Sequence, residues 1–347
     1  MRSMLSVPKT ATAMICAALA VAVAVTVTAA PAKADAIQTG SCSLTGSSLP
    51  AIDTLIYEKS SGGDPIARLT GAKIGLVASD FFAGASDRVH VKTSVGAGSF
   101  RIEGWIDAKR LPVFTNKNVP VVQSHIWIGA LREVTVIGAG SGKLRVKRQV
   151  GLPFNQAFTG WADCSALSLA ATAPSGWTPT GNARAYVAKK DVELYDSGDD
   201  GRNLITLLSP DSKGNGIVLW STEKKGGWVR LVHQSEVVID AWARTKDLKE
   251  LPRGELQDSH PPSTSRRSPP ALKLSGKANS PPAQKDIEIR ASASDKGKLI
   301  GTLEAGAEVY VLDIVAGWAS VLPKVLNVAP HGEGQFWVKA STLGVLP

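Results

Sequence analysis

Beyond residue 34 apolar positions recur at every second residue, in short runs broken by Gly, Asp, Asn and Pro. Val134-Thr135-Val136-Ile137, Leu144-Arg145-Val146-Lys147, Val192-Glu193-Leu194-Tyr195 and Val309-Tyr310-Val311-Leu312 are examples. A period of two belongs to half-buried strands, and no comparable stretch carries the 3.6-residue period of a helix. The pattern predicts an all-β protein. It also repeats on a longer scale. A Trp followed six residues later by Leu occurs four times: Trp105 to Leu111, Trp161 to Leu167, Trp242 to Leu248 and Trp337 to Leu343. Upstream of each lie hairpin signals, a short apolar stretch and a polar Gly/Asp/Ser loop. Self-similarity at this spacing indicates a chain built of repeated units.

The repeats divide the chain into a signal peptide at 1–34, unit one at 35–111, an abbreviated unit two at 112–169, a short linker at 170–182, unit three at 183–252, a Pro/Ser/Arg-rich linker at 253–282 and unit four at 283–347. The long linker holds three Pro-Pro pairs and Arg266-Arg267, a composition that reads as an extended spacer. Within each unit the closing Trp is expected to plug a small core. An aromatic side chain of that size buries about 200 Å². The charged residue two positions on would then mark the end of the strand, and a tight turn would return Leu111 and its counterparts to the interior. Trp105, Trp161, Trp242 and Trp337 are thus expected to act as structural latches.

The order of elements resembles that of the bacterial SH3-like (SH3b) domain family. Gly227-Trp228-Val229-Arg230-Leu231, Ala316-Gly317-Trp318-Ala319-Ser320-Val321 and the four closing elements carry the resemblance. It implies tandem small SH3-like β-barrels. Units one and two have Val89 and Leu144 where the later units have Trp, so they are either divergent copies or one fused β domain. The family implies non-enzymatic recognition of peptidoglycan peptides or of a cell-envelope protein. Trp228 and Trp318 are the ligand-binding candidates, with core packing as the alternative.

The N-terminus sets the compartment. Arg2 and Lys9 precede an uncharged apolar run from Ala11 to Ala30, and Ala32 and Ala34 fit a cleavage site before Asp35. An uncleaved anchor is the rival reading, since the run is just long enough to span a bilayer. Cleavage would leave an exported, periplasmic or extracellular chain with no further membrane-spanning segment. It would carry 36 basic and 30 acidic residues. That scattered excess suits a soluble basic surface or anionic wall polymers, and nothing resembles a nucleic-acid recognition helix. Cys42 and Cys164 would survive cleavage, and an even pair outside the cytoplasm suggests one disulfide.

Other motifs carry residue types found in catalytic and metal sites. Asp163-Cys164-Ser165-Ala166-Leu167 is similar to the cysteine signature of NlpC/P60 cell-wall peptidases. Ala166 replaces a Gly, no helix-like run follows, and the residues coincide with a closing element. Gly138 to Lys143 lacks two positions of a phosphate loop and reads as a hairpin turn. The five histidines are scattered, and Asp199-Asp200-Gly201 with Asp211 lacks the calcium-loop alternation, so no metal or cofactor is expected. Three functions follow: an envelope binding or scaffold protein, a cell-wall cysteine hydrolase resting on Cys164, or a carbohydrate-binding β protein using exposed Trp.

Overall fold

Antiparallel strands dominate the structure, a computed structural model that describes residues 42–93, 99–122, 124–171, 182–199, 201–208, 217–251, 278–325, 327–332 and 334–345. The expected signal peptide, 1–34, and most of the expected long linker, 253–282, lie outside these residues. All of the described residues belong to one body, Ala36–Pro347. The fold is all-β with several antiparallel sheets, as the alternating pattern predicts.

One strand order recurs along the chain. In unit one the strands are Leu44–Ser48, Thr54–Tyr57, Pro65–Leu69, Ile74–Ser79, Arg88–Thr93 and Phe100–Asp107. Their order in the sheet is first, fourth, fifth, sixth, second, third. Unit three repeats it with Arg184–Ala188, Val192–Tyr195, Asn203–Leu207, Leu219–Lys225, Trp228–Gln234 and Val237–Arg244. Unit four repeats it with Ala278–Asn279, Ile287–Arg290, Leu299–Leu303, Val309–Val315, Trp318–Pro323 and Phe336–Lys339. Unit two has Val113–Thr115, Val119–Val122, Ile126–Ile128, Glu133–Gly140, Lys143–Val150 and Gln156–Asp163. There the first, fourth, fifth and sixth strands pair in the same order, and the second and third pair with each other. The sequence pattern suggests Leu55–Tyr57, Val192–Tyr195 and Ile287–Ile289 as the opening strands of units one, three and four, and the structure has a further strand ahead of each. In unit four that strand, Ala278–Asn279, falls inside the stretch expected to be linker and pairs with Tyr310–Val311.

The units do not close into separate small barrels. Among the described residues each sheet follows an open path, because the free edge of a third strand is taken by another unit. Gly301–Leu303 of unit four pair with Phe100–Ile102 at the start of the sixth strand of unit one. Reciprocally, Ala67–Leu69 of unit one pair with Val328–Pro330, just upstream of the sixth strand of unit four. Units two and three repeat the exchange. Ile126–Ile128 pair with Val237–Ile239, and the Leu208 N–H donates to the Pro153 carbonyl at 2.9 Å. The pairing is nested: two and three engage each other, and one engages four around them. Glycine makes both crossings possible. A Cβ at Gly301 would stand 2.0 Å from the Arg101 carbonyl oxygen, and one at Gly129 would stand 2.3 Å from that of Ser235.

Polar contacts hold the outer pair together. The Ser99 N–H and hydroxyl donate to Glu304 Oε2 at 3.1 and 2.5 Å, and Arg101 pairs with the same carboxylate. These bonds hold the Glu304 carboxyl below the usual carboxylate range, with the Arg101 charge adding to the effect. Lys298 pairs with Glu58 across the same junction. In the inner pair, Arg148 pairs with Glu236 at 2.8 Å, and Nδ1 of His125 contacts the Asp240 carbonyl at 3.0 Å. The core runs through every unit. Ile56, Leu76, Ile106, Ile128, Leu144, Leu194, Leu231, Ile289 and Phe336 are all buried within it. Each such apolar side chain contributes about 1.5–3 kcal/mol on leaving water.

Candidate binding site on the outer sheet faces

The closing Trp residues do not plug the core. In the sixth strand of unit one Gly104 and Ile106 point inward, while Trp105 between them lies on the outer face. Ala162, Ala243 and Val338 hold the position of Ile106 in the other units and are buried. The strand ends, as expected, at the charged residue two positions on, Asp107, Asp163, Arg244 or Lys339, which shares the outer face with the Trp. A single helical turn follows, and Leu111, Leu167, Leu248 and Leu343 then return to the core at 2, 5, 3 and 2% exposure. The latch is therefore the Leu, and the Trp is a surface residue of varying cover.

Each outer Trp stands in a row across the sheet, flanked by residues of the neighbouring strands. In unit one Trp105 lies between Tyr57 and His90, whose ring centroid is 5.0 Å from the indole. In unit three Trp242 lies between Tyr195 and Arg230. In unit four Trp337 lies between Arg290 and Ser320. In unit two Trp161 is registered with Arg145. The loop between second and third strands decides the cover. It spans residues 58–64, 196–202 and 291–298 in units one, three and four, but only 123–125 in unit two. In unit three the loop folds onto the row: a Cβ on Gly198 would sit 2.7 Å from Cε3 of Trp242. With the loop cut short, Trp161 is 46% exposed, whereas the other three are half-buried.

The cations of the rows differ in the same way. Arg230 chelates Asp240 at 2.7 and 2.8 Å and reaches Glu223 at 3.1 Å. These bonds raise its already high pKa. Arg290 donates to the carbonyls of Asp295 and Gly297 at 2.9 and 2.6 Å and pairs with Glu288. Among the described residues the side chains of Arg145 and Lys147 have no hydrogen-bond or ion-pair partner, and both are exposed. Lys143, at the end of the same strand, pairs with Asp163 at 3.2 Å.

The two expected ligand-binding residues are placed elsewhere. Trp318 is 7% exposed and lies under Lys339, whose ammonium is 5.7 Å from the ring centre. That burial leaves it no face for a ligand. Trp228 is half-buried, meets Tyr195 edge-on at 5.2 Å and carries the Arg244 guanidinium at 5.2 Å. Its ring is occupied by intramolecular partners. Trp161 is the indole that unit two leaves open. The shortness of that unit was the available signal, but the sequence does not say that the missing loop is the one covering the Trp.

The chemistry-bearing motifs resolve into structure. Cys42 and Cys164 form a disulfide, with sulfurs 2.06 Å and Cα atoms 5.6 Å apart. Cys164 begins a three-residue turn, and a sulfur held in a disulfide is not a nucleophile. Gly138 to Lys143 form the hairpin between fourth and fifth strands, with Ser141 and Gly142 at φ of 50° and 73°, the sign a tight two-residue turn requires. Nδ1 of His233 lies 3.0 Å from the Val218 carbonyl, which can only accept, so that nitrogen carries the proton. Nε2 then accepts from the Ser235 hydroxyl at 2.7 Å, and burial pushes the imidazole pKa down. Among the described residues no three His, Cys, Asp or Glu side chains converge on a metal position. The calcium-like Asp200 and Asp211 lie outside the described residues. No described helix is long and apolar enough to cross a membrane.

Two shallow clefts accompany these faces. One, of about 250 Å³, is lined by Arg184, Tyr186, Ser221 and Glu223. The other, of about 210 Å³, is lined by Thr135, Lys147, Arg148 and Gln149 beside the Trp161 face. Both fall below the roughly 300–1,000 Å³ of pockets that engulf small molecules. Comparison with protein-family models and with curated proteins returned no match.

Proposed function

We propose that the protein is an exported, non-enzymatic binding or scaffold protein of the cell envelope, built from four SH3-like units and recognising peptidoglycan or an envelope protein. The carrying observation is the exposed Trp161 beside the unpaired cations Arg145 and Lys147, on a flat sheet face rather than in a pocket. Such a face suits an extended ligand lying across the surface. The disulfide and the apolar N-terminal run both agree with an oxidising compartment outside the cytoplasm. The nested pairing fixes the units against one another. One principal face contacts the ligand, and the other rows serve the fold.

The test is co-sedimentation of the purified full chain with intact sacculi. Wild-type protein is expected to pellet with sacculi, and Trp161→Ala is expected to stay in the supernatant. Retention of Trp161→Ala at the wild-type level would remove the face from the proposal. A lysis band on sacculus zymograms would remove the non-enzymatic reading.

A further inference from the structure

The outer face of unit two has a more specific chemistry than its exposure alone conveys. Its central strand, Lys143–Val150, is paired on both sides, with Glu133–Gly140 on one flank and Gln156–Asp163 on the other. Alternation sends Lys143, Arg145, Lys147 and Gln149 outward. Residues two apart on a strand are separated by about 6.8 Å, so three cations stand in line at that spacing. Asp163, the acidic residue registered with Lys143, is neutralised by it.

The indole of Trp161 reaches across this strand. A Cβ on Gly140, two strands away, would lie 3.7 Å from Cη2 of the ring. The ring is thus laid over the sheet, its tip above a residue without a side chain. At Gly138 the same absence admits the stem of Arg145, whose Cβ is 3.5 Å from the position a Cβ would take. An indole held down on one face and 46% exposed is a stacking platform. It does not project as an insertion wedge would.

We infer that this face binds an anionic saccharide chain. A sugar ring lies on Trp161, and the carboxylate or phosphate groups of the chain pair with Arg145 and Lys147. The charge complement follows from two unpaired cations in line. The ring follows from the platform, because the C–H edges of a saccharide present a weakly positive surface to the negative face of the indole. A peptide adding as an extra strand is disfavoured, since the strand bearing the cations has no free edge. The inference deepens the envelope-binding reading above and rests on the same face.

Affinity electrophoresis of the full chain tests it, with polygalacturonate as the carboxylated polymer, a poly(glycosyl phosphate) as the phosphorylated one, and neutral dextran, poly-L-glutamate and oligo-dT as comparators. Retardation by either charged saccharide, weakened by added salt and absent with dextran, is expected. The preferred polymer tells carboxylate from phosphate. Trp161→Ala is expected to weaken binding about tenfold or more, the scale of losing one aromatic stack. Arg145→Glu/Lys147→Glu is expected to abolish it. All three side chains are exposed, and an unchanged thermal midpoint would show that the variants fold. Equal binding to poly-L-glutamate, tighter binding to oligo-dT, or wild-type binding by Trp161→Ala would each overturn the inference. Binding to sacculi without binding to either charged saccharide overturns the inference and leaves the envelope reading standing. Binding to a charged saccharide without binding to sacculi supports the inference and removes the peptidoglycan reading.

Discussion

Replacing Gly301 with Ala should unfasten the first unit from the fourth. The added Cβ would sit 2.0 Å from the Arg101 carbonyl oxygen and 3.0 Å from the Arg101 carbonyl carbon. Both are backbone atoms, so no rotamer change relieves the clash. The strands must part by more than 1 Å, which opens the ladder joining Gly301–Leu303 to Phe100–Ile102. The neighbouring Ser99–Glu304 bonds stretch with it. Overpacking of this kind costs about 1–3 kcal/mol. Each ladder bond weakened adds about 1 kcal/mol. A loss of about 3–5 kcal/mol is therefore expected. Gly151→Ala is the control, because a Cβ there meets nothing within 4 Å and a glycine replaced without strain gains about 0.4–1 kcal/mol. Urea titration followed by tryptophan fluorescence compares the two. The Gly301 variant should also unfold in two steps, as the outer pair opens before the inner. If Gly301→Ala and Gly151→Ala unfold alike, the nested pairing is not the arrangement in solution.

Further outcomes follow from the same structure. Trp318→Ala should destabilise the protein by about 3–5 kcal/mol as a buried aromatic removed, whereas Trp161→Ala should change stability by less than about 0.5 kcal/mol; thermal midpoints distinguish them. Replacing both cysteines by Ser opens a link between residues 122 apart, which should cost about 4–5 kcal/mol in the chain-entropy account, read as a lower urea midpoint. Acid should weaken the fold in two stages. The neutral form of His233 is favoured by burial, so its contribution is whole above the ordinary His value of about 6.5 and is lost as pH falls below it. The ionised form of Glu304 is favoured by Ser99 and Arg101, so its contribution is whole above about 4.3 and is lost as pH falls through its lowered folded value. In Glu304→Gln the second stage should vanish from the pH dependence of the urea midpoint, and its persistence would assign that stage to other groups.

Much of the secondary structure was legible because period-two alternation marks strands wherever one face is buried. Alternation does not say which face. Gly104-Trp105-Ile106 is apolar throughout, and the largest side chain was the wrong choice for the inward one: with Tyr57 and His90 beside it, the indole packs along the sheet surface. The first strand of unit one, Leu44-Thr45-Gly46-Ser47-Ser48, carries no alternation because it is mostly small and polar. Ala278–Asn279 is too short to carry a pattern. In the sequence Trp161 shares one motif with its three counterparts. What separates it is a loop shortened to residues 123–125, well upstream in the chain, and no local pattern conveys what a longer loop would have covered. The pairing of unit one with unit four is non-local in the same sense. Its Ser99–Glu304 contact joins residues 205 apart.

That separation bears on how the chain assembles when it emerges from its N-terminus. Units two and three are neighbours and can join as soon as both are present. Unit one must wait until the last strands arrive, and until then the edges Ala67–Leu69 and Phe100–Ile102 are unsatisfied. Open strand edges recruit other chains. The period of greatest risk for this protein is therefore the interval between delivery of its first unit and its fourth, and a factor that shields β edges would act there.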